Sequence, residues 1–256
     1  MKIGRFLLGE KIFYGNVEQD KVIPLAGGPF GEEITLAASS CRLADLRLLP
    51  PCIPSKAVCV GLNYRDHAAE FGHEIPAEPI LFIKPSTALL DPEGAIVLPA
   101  ASKRVDYEAE LAVVIGKTCR KVSTEESASY ILGYTCANDV TARDLQQRDG
   151  QWTRAKSFDT FLPLGPYIEN AVDPFDLGVC LYLNGALKQK SSTANLIFSV
   201  YELVSFISGV MTLNPGDVIL TGTPGGVGQL TAGDQVVVEI SGIGRLSNAV
   251  RKEVEI

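Results

Sequence analysis

The chain has 256 residues, of which 46% are hydrophobic and 21% charged, and its 23 Lys and Arg against 30 Asp and Glu give a formal net charge of −7. A chain of this length can bury a large core, and an acidic balance without a run of Lys or Arg argues against nucleic acid as a partner. No stretch approaches the roughly 18 consecutive apolar residues of a membrane span, and the N-terminus has no signal-peptide pattern. We therefore expect a soluble, cytoplasmic globular protein with neither nucleic acid nor membrane as a partner.

The N-terminal region reads as short strands, at Lys2–Leu8, Lys11–Val17 and Lys21–Pro24. The segment Leu48–Pro54 holds three prolines in five positions, which is typical of an extended connector because proline fixes φ and lacks an N–H donor. We therefore predict a small N-terminal β domain over residues 1–52 and a larger domain over residues 53–256.

Strand patterns also dominate the larger region. Asn184-Gly185 between two strand patterns predicts a hairpin, because both central residues of a type I′ turn need positive φ. The predicted strands are Ala57–Val60, Pro79–Ile83, Val105–Ile115, Tyr134–Ala137, Val179–Leu183, Ala186–Gln189, Val218–Thr221 and Gln235–Ile240.

Helix patterns are few. Ser199 and Glu202 form a capping-box pattern ahead of a helix over Val200–Ser208, and Thr124–Leu132 is predicted as a second short helix. Because strands do not alternate with long helices, the sequence predicts a β-rich α+β fold rather than a doubly wound sheet or a TIM barrel.

The longest predicted strand carries three acidic residues at alternate positions. In Val105–Ile115, Asp106, Glu108 and Glu110 would share one face, since side chains alternate with a period of two. The ordinary interpretation is a strand with one solvent-exposed face. However, the apolar residues Leu111–Ile115 that follow imply that Glu110 enters the interior. Asp139 follows another apolar strand and is either a turn residue or a third oxygen ligand for Mg²⁺ or Mn²⁺.

Two further patterns could contribute to chemistry. His67 and Glu70 have helical i, i+3 spacing, so the carboxylate could polarise the imidazole; a surface His–Glu pair is the alternative, and His73 is interpreted as a surface residue. The Gly-rich segment Thr221–Gly228 lacks both the P-loop and the dinucleotide fingerprint. It is either a flexible loop or a close backbone approach to a small anion, with Thr223 offering a hydroxyl.

In this order, the motifs resemble the fumarylacetoacetate hydrolase family over roughly residues 55 to 250. The matching blocks are Val58–His67, Phe82–Ser86, Asp106–Gly116, Asn138–Asp144, Ala155–Thr160 and Gly216–Pro224. The resemblance implies a mixed β-roll catalytic domain behind a small N-terminal domain, a homodimer, and Mg²⁺ or Mn²⁺ held by Glu108, Glu110 and Asp139.

The resemblance also implies roles for other residues. Lys156 matches the family's conserved lysine, and His67 and Glu70 match a catalytic pair on a lid segment that is ordered by ligand. Residues implied to contact the substrate are Lys84, Ser86, Arg143, Gln146 and Thr223.

The implied activity is metal-dependent chemistry on small 2-oxo acids through a stabilised enolate. The intact His67/Glu70 pair favours acylpyruvate hydrolysis or oxaloacetate decarboxylation, and an isomerase or tautomerase is the alternative within the family. The segment Arg148–Trp152 is shorter than expected for acylpyruvase-like members, so the choice of substrate stays open. A non-catalytic metabolite-binding protein is a third hypothesis, although no position that matches a metal ligand is lost.

Overall fold

The protein is described from a computed structural model that covers residues 1–31, 33–66 and 74–254. Strands dominate the architecture and a few short helices cover it, which confirms the predicted β-rich α+β class.

In chain order, the strands of the described residues are β1 (Lys2–Leu8), β2 (Lys11–Glu18), β3 (Lys21–Ala26), β4 (Thr35–Leu36), β5 (Cys41–Arg42), β6 (Arg47–Leu49), β7 (Lys56–Gly61), β8 (Ile80–Pro85), β9 (Leu89–Leu90), β10 (Ala95–Leu98), β11 (Val105–Tyr107), β12 (Ala109–Ile115), β13 (Ile131–Asn138), β14 (Thr141–Ala142), β15 (Leu162–Glu169), β16 (Gly178–Leu183), β17 (Ala186–Ser192), β18 (Val218–Leu220), β19 (Gly228–Gln229), β20 (Gln235–Ile240) and β21 (Gly244–Lys252). The α-helices whose bounds both lie within the described residues are α1 (Arg143–Asp149), α2 (Thr153–Lys156) and α3 (Val200–Val210), and single 3₁₀ turns lie at Leu43–Asp45, Ser86–Ala88, Ser127–Tyr130 and Thr193–Asn195.

The strands of the described residues form three sheets. The largest has the order β4-β3-β2-β1-β15-β13-β12-β18-β7-β8, with β5, β6 and β9 attached to its sides. A five-stranded sheet has the order β10-β21-β20-β16-β17, and a small one has the order β14-β11-β19. Parallel pairs, such as β18 with β7, occur beside antiparallel ones, so the sheets are mixed.

The N-terminal strands continue the largest sheet. Strand β1 pairs antiparallel with β15, with Ile3 opposite Ile168. Ile3 and Leu25 also pack in one apolar cluster with Leu164 and Leu220 of the central strands. Burial of shared apolar surface therefore joins residues of the N-terminal region to the larger region.

Local sequence signals account for two of the elements. Asn184 and Gly185 have φ of 52° and 80°, and they join β16 to β17 as the predicted hairpin. The backbone N–H of Glu202 donates to the Ser199 hydroxyl, and the Glu202 carboxylate accepts from the Ser199 N–H, which completes the capping box of α3.

The helix predicted over Thr124–Leu132 is wrong. The structure has only a 3₁₀ turn at Ser127–Tyr130, and β13 begins at Ile131. Residues Ile131–Asn138 pair with two neighbouring strands, and a strand buried between neighbours overrides a weak local helix preference.

Asp217 anchors the connector between the N-terminal strands and β7. Its buried carboxylate accepts from the Ser55 N–H at 3.0 Å, the Ser55 hydroxyl at 2.6 Å, the Lys56 N–H at 3.2 Å, the Lys56 ammonium at 2.5 Å and the Asn214 N–H at 2.9 Å. Burial opposes the charged form of Asp217, but these donors outweigh it and lower its pKa. The carboxylate therefore joins the connector to the turn that precedes β18.

Among the residues described, no helix combines the length and apolar character needed to cross a bilayer.

Replacing Asp217 with Ala should lower the free energy of unfolding by about 3 kcal/mol, because it removes the buried carboxylate that accepts all five of these hydrogen bonds. Urea denaturation followed by the fluorescence of the single tryptophan, Trp152, measures this loss. The exposed Glu10, changed to Ala as a control, should stay within about 0.5 kcal/mol of the parent. A loss below about 1 kcal/mol for Asp217→Ala would show that the connector does not depend on this carboxylate.

Candidate metal centre and active site

The site lies where the strand that carries Asp106, Glu108 and Glu110 is interrupted. The prediction of one continuous strand over Val105–Ile115 is wrong at Glu108, which lies between β11 and β12. The Glu108 N–H donates to the Asn138 side-chain oxygen at 2.9 Å, and the Glu108 carbonyl accepts from the Asp139 N–H at 2.9 Å. A side chain therefore replaces a strand partner at this point, and β11 and β12 enter different sheets.

Three carboxylates meet at this break. Strand β12 pairs with β13 so that Ala109 lies opposite Asn138, which places Asp139 next to the two glutamates. Oxygens of Glu108, Glu110 and Asp139 lie within 4.8 Å of one another, and all three residues are buried. The predicted ligand set is thus one spatial cluster.

Cations compensate two of these carboxylates. The Lys156 ammonium, at the end of α2, lies 2.9 Å from Glu108 Oε2 and 2.5 Å from Asp139 Oδ2. The Arg143 guanidinium bonds the other Glu108 oxygen and also Asp106 at 2.9 Å. These contacts neutralise Glu108 and partly neutralise Asp139.

Lys84 lies beneath the cluster. Its side chain is the one buried member of β8, and its ammonium donates to Asp139 Oδ1 at 2.6 Å and to the Val140 carbonyl at 3.0 Å. The predicted substrate contact of Lys84 stays a prediction, and the structure shows that Lys84 holds Asp139.

Glu110 differs from its two neighbours. Within the described residues it forms no ion pair, and the one hydrogen bond of its carboxylate comes from the Gly222 N–H at 2.6 Å. Burial, then the charges of Asp139 and Glu108, raise its pKa well above the usual range. Glu108 behaves in the opposite way: burial opposes its charge, but Lys156 and Arg143 outweigh burial and lower its pKa to about 2.

This donor set fits a divalent metal. Mg²⁺ and Mn²⁺ prefer carboxylate oxygens, and a cation close to all three groups would supply the positive charge that Glu110 lacks. A buried carboxylate without a counter-charge is costly, so the imbalance at Glu110 is itself a reason to expect a cation there.

The Gly-rich segment closes the site from the other side. The Gly222 N–H holds Glu110, and Gly222 has φ of 96° with space limited by Asn63, which favours glycine. Thr223, the next residue, is 6% exposed, and its hydroxyl oxygen accepts from Gln189 Nε2 at 2.9 Å. Hydrogen bonds from Gly222 to Glu110 and from Gln189 to Thr223 thus tie this Gly-rich segment to the surroundings of the carboxylate cluster.

Aromatic side chains pack next to Lys156. Its ammonium lies 4.8 Å from the centre of the Phe82 ring, and Phe82 packs edge-on against Trp152 at 5.2 Å. The indole lies close to Gly61, where an added Cβ would come within 2.8 Å of it. The segment that ends at Trp152 therefore borders the site.

The other predicted site residues are placed as follows. The Gln146 side-chain oxygen accepts from Arg143 Nη1 at 2.6 Å, so Gln146 lies beside the cluster. Ser86 is exposed at the start of its 3₁₀ turn. His67, Glu70 and His73 lie outside the described residues.

Gln189, the residue that bonds Thr223, was not predicted as a site residue. Gln189 lies in a strand of mostly exposed side chains, and no pattern in the sequence separates it from Lys188 or Lys190.

Comparison with family models identifies the fold. Residues 56–251 match the model described as "Fumarylacetoacetate (FAA) hydrolase C-terminal", and residues 1–51 match "Rv2993c-like, N-terminal". The chain belongs to the fumarylacetoacetate hydrolase family. The predicted family resemblance and the family-type fold with a small N-terminal domain are confirmed.

Three family relatives illustrate the range of activities. The structure of 2-hydroxyhepta-2,4-diene-1,7-dioate isomerase from Mycobacterium marinum is 45% identical, covers 100% of each chain and has a TM-score of 0.92. Maleylpyruvate hydrolase from Sphingobium sp. SYK-6, in complex with manganese(II) and pyruvate, is 31% identical over 99% of this chain and 100% of the other, with a TM-score of 0.82. Bovine mitochondrial oxaloacetate tautomerase FAHD2B is 44% identical over 215 residues, 79% of this chain and 68% of the relative.

In the metal-free protein, replacing Glu108 or Glu110 with the neutral glutamine should change stability in opposite directions. A raised carboxyl pKa means that the folded state holds its proton more tightly, so the contribution of Glu110 to stability falls as pH rises from its unfolded pKa through its folded pKa. Glu110→Gln removes this loss and should raise the Tm in chelator at pH 8.

Glu108 has a lowered pKa, so its contribution is present above its unfolded pKa and is lost as pH falls through about 2. Glu108→Gln should therefore destabilise the protein at pH 8, by an amount on the order of 3 kcal/mol. Thermal unfolding of both variants between pH 5 and pH 8 tests the pair, and equal shifts in the same direction would contradict this account of the site.

Proposed function

We propose that this enzyme stabilises the enolate of a small 2-oxo acid, and that Glu108, Glu110 and Asp139 hold the Mg²⁺ or Mn²⁺ that the reaction needs. The observation that carries the proposal is the buried Glu110 carboxylate, which lacks a cation among the described residues although Glu108 and Asp139 have one. When bound, a divalent cation supplies Lewis-acid polarisation of the 2-oxo group. The manganese and pyruvate in the maleylpyruvate hydrolase structure support this assignment.

Residues of the chain supply the rest of the chemistry. Lys156 keeps its proton, because its neighbouring carboxylates outweigh burial and raise its pKa. Its ammonium therefore adds a permanent positive charge where negative charge develops on the substrate oxygen. Arg143 neutralises Glu108 and lies beside Gln146, and these two side chains border the space in which we place the substrate.

Carbon–carbon bond cleavage is the reaction we place first, as oxaloacetate decarboxylation or acylpyruvate hydrolysis. Both reactions pass through the enolate of pyruvate when the bond breaks. For hydrolysis we assign His67, polarised by Glu70, as the base that takes a proton from water. The similarity to a maleylpyruvate hydrolase supports cleavage as a candidate reaction.

Keto–enol tautomerisation or isomerisation is the second candidate. It needs the same charge stabilisation but no attacking water, and every carbon stays in the product. The 44% identity to bovine oxaloacetate tautomerase and the 45% identity to the Mycobacterium marinum isomerase favour this candidate.

We also propose that the enzyme is a cytoplasmic homodimer, with domains over residues 1–52 and 53–256. The separate family matches over residues 1–51 and 56–251 support the domain boundary. Light scattering of the purified enzyme tests the dimer.

Metal binding should stabilise the parent enzyme but not Glu110→Gln. In chelator-treated protein, Mn²⁺ at about 100 times its Kd should stabilise by about 2.7 kcal/mol and raise the Tm accordingly. Glu78, an exposed acid outside the cluster, provides the matched control as Glu78→Gln, which should keep the full shift. An unchanged shift in Glu110→Gln would place the metal elsewhere.

Product identification separates the two candidate reactions. Oxaloacetate and acetylpyruvate are supplied separately to Mn²⁺-loaded enzyme, with Mn²⁺ alone subtracted, and products are followed by mass spectrometry. Pyruvate, with CO₂ or acetate, indicates cleavage. A faster keto–enol equilibration of oxaloacetate, followed by the ultraviolet absorbance of the enol while every carbon is retained, indicates tautomerisation. Lys156→Met should lower kcat by about 10²-fold or more, and the exposed Lys117→Met should not. Full activity in excess chelator would refute the metal-dependent proposal.

A further inference from the structure

Gln189 occupies an unusual place for a glutamine. It is 1% exposed, and it is the one buried side chain of β17, the edge strand of the five-stranded sheet. Its neighbours in the strand, Lys188 and Lys190, are exposed. A single buried amide that points inward from a polar strand requires full hydrogen bonding, because an unsatisfied buried amide is costly.

The Gln189 amide joins two functional segments. Its Oε1 accepts from the Ala109 N–H at 2.9 Å, between Glu108 and Glu110 in the chain. Its Nε2 donates to the Thr223 hydroxyl oxygen and to the Pro224 carbonyl, each at 2.9 Å. One side chain therefore connects the strand that carries the glutamates with the loop that carries Thr223.

The chemistry of these partners fixes the orientation of the amide. The Ala109 N–H can only donate and the Pro224 carbonyl can only accept, so exchanging the amide oxygen and nitrogen would break both bonds. Nε2 must therefore face Thr223, and the Thr223 hydroxyl oxygen is the acceptor. Because a hydroxyl has a single proton to donate, the proton of Thr223 points away from Gln189.

The hydroxyl proton of Thr223 thus remains available to a ligand. Its one hydrogen bond within the described chain is the one it accepts from Gln189. The loop also sits tightly against β17, since a Cβ at Gly226 would come within 2.5 Å of the Lys188 carbonyl oxygen. Contacts with β17 therefore fix both the position of the Thr223 hydroxyl and the direction of its proton.

We propose that Gln189 is a positioning residue that presents the Thr223 hydroxyl as a hydrogen-bond donor to the carboxylate of the 2-oxo acid. This inference rests on the proposed function, because it takes a carboxylate as the acceptor. The Ala109 bond fixes the loop relative to the glutamates, so that substrate carboxylate and metal ligands keep one geometry.

Three variants separate this role from simple packing. Gln189→Met keeps the size of the side chain but loses its polarity, and Thr223→Val removes the hydroxyl. Gln189→Glu can still accept from Ala109, but its second oxygen would accept the Thr223 proton and reverse the bond. Gln147→Met, at an exposed helix position, is the matched control.

Pyruvate binding to Mn²⁺-loaded enzyme, measured by calorimetry, is the first readout. We expect Gln189→Met to weaken pyruvate binding by about 10-fold and Gln189→Glu by about 100-fold, while Mn²⁺ affinity and Gln147→Met stay within about twofold of the parent. In the Thr223→Val background, Gln189→Met should add less than about twofold. The inference would be overturned if the effects of Gln189→Met and Thr223→Val on pyruvate binding multiplied independently. It would also be overturned if Gln189→Met weakened Mn²⁺ binding as much as pyruvate binding.

A ligand-free readout keeps the inference separable from the proposed function. The Gln189 side-chain NH₂ signal in the NMR spectrum, assigned by its loss in Gln189→Met, should shift in Thr223→Val and keep its position in Gln147→Met. An unshifted signal would overturn the Gln189–Thr223 coupling. If the parent fails to bind pyruvate, the proposed function fails, and the NMR result alone then decides whether Gln189 orients Thr223.

Discussion

The burial of three carboxylates in one small volume is the constraint on which the rest of the site depends. Glu108, Glu110 and Asp139 repel one another, and removal from water makes each charge costly. Lys156, Lys84 and Arg143 compensate Glu108 and Asp139, whereas Glu110 receives a backbone N–H and no cation within the described chain. The cluster thus lacks a positive charge beside Glu110, and a site for a divalent cation requires such uncompensated negative charge.

The fold serves this constraint by bringing separate elements to one point. The break at Glu108 lets the chain change sheets, and the pairing of β12 with β13 sets Asp139 beside it. The short helix α2 delivers Lys156, β8 delivers Lys84, and the loop after β18 delivers the Gly222 N–H. Because β12 is buried along its whole length, the carboxylates at its start are held by a rigid core rather than by a mobile loop.

Sequence patterns predicted much of this arrangement. The hairpin at Asn184-Gly185 and the capping box at Ser199 depend on neighbours only one to three residues away, and the structure confirms both. The helix expected over Thr124–Leu132 is wrong because strand pairing decides the fate of Ile131 onward. The continuous strand through Glu108 is wrong for a related reason: its N–H bonds the side chain of Asn138, thirty residues away along the chain.

The sequence by itself determined the β-rich class, the family and the acids that form the cluster, because these follow from composition, periodicity and ordered motifs. Only the tertiary structure decided which carboxylate lacks a cation, that Lys84 holds Asp139, and that Gln189 orients Thr223. Those facts depend on contacts between residues 17 to 112 positions apart, from Lys156 with Asp139 to Gly222 with Glu110. The net charge of −7 shows the same division: composition counts the acids, and only the fold shows where three of them meet.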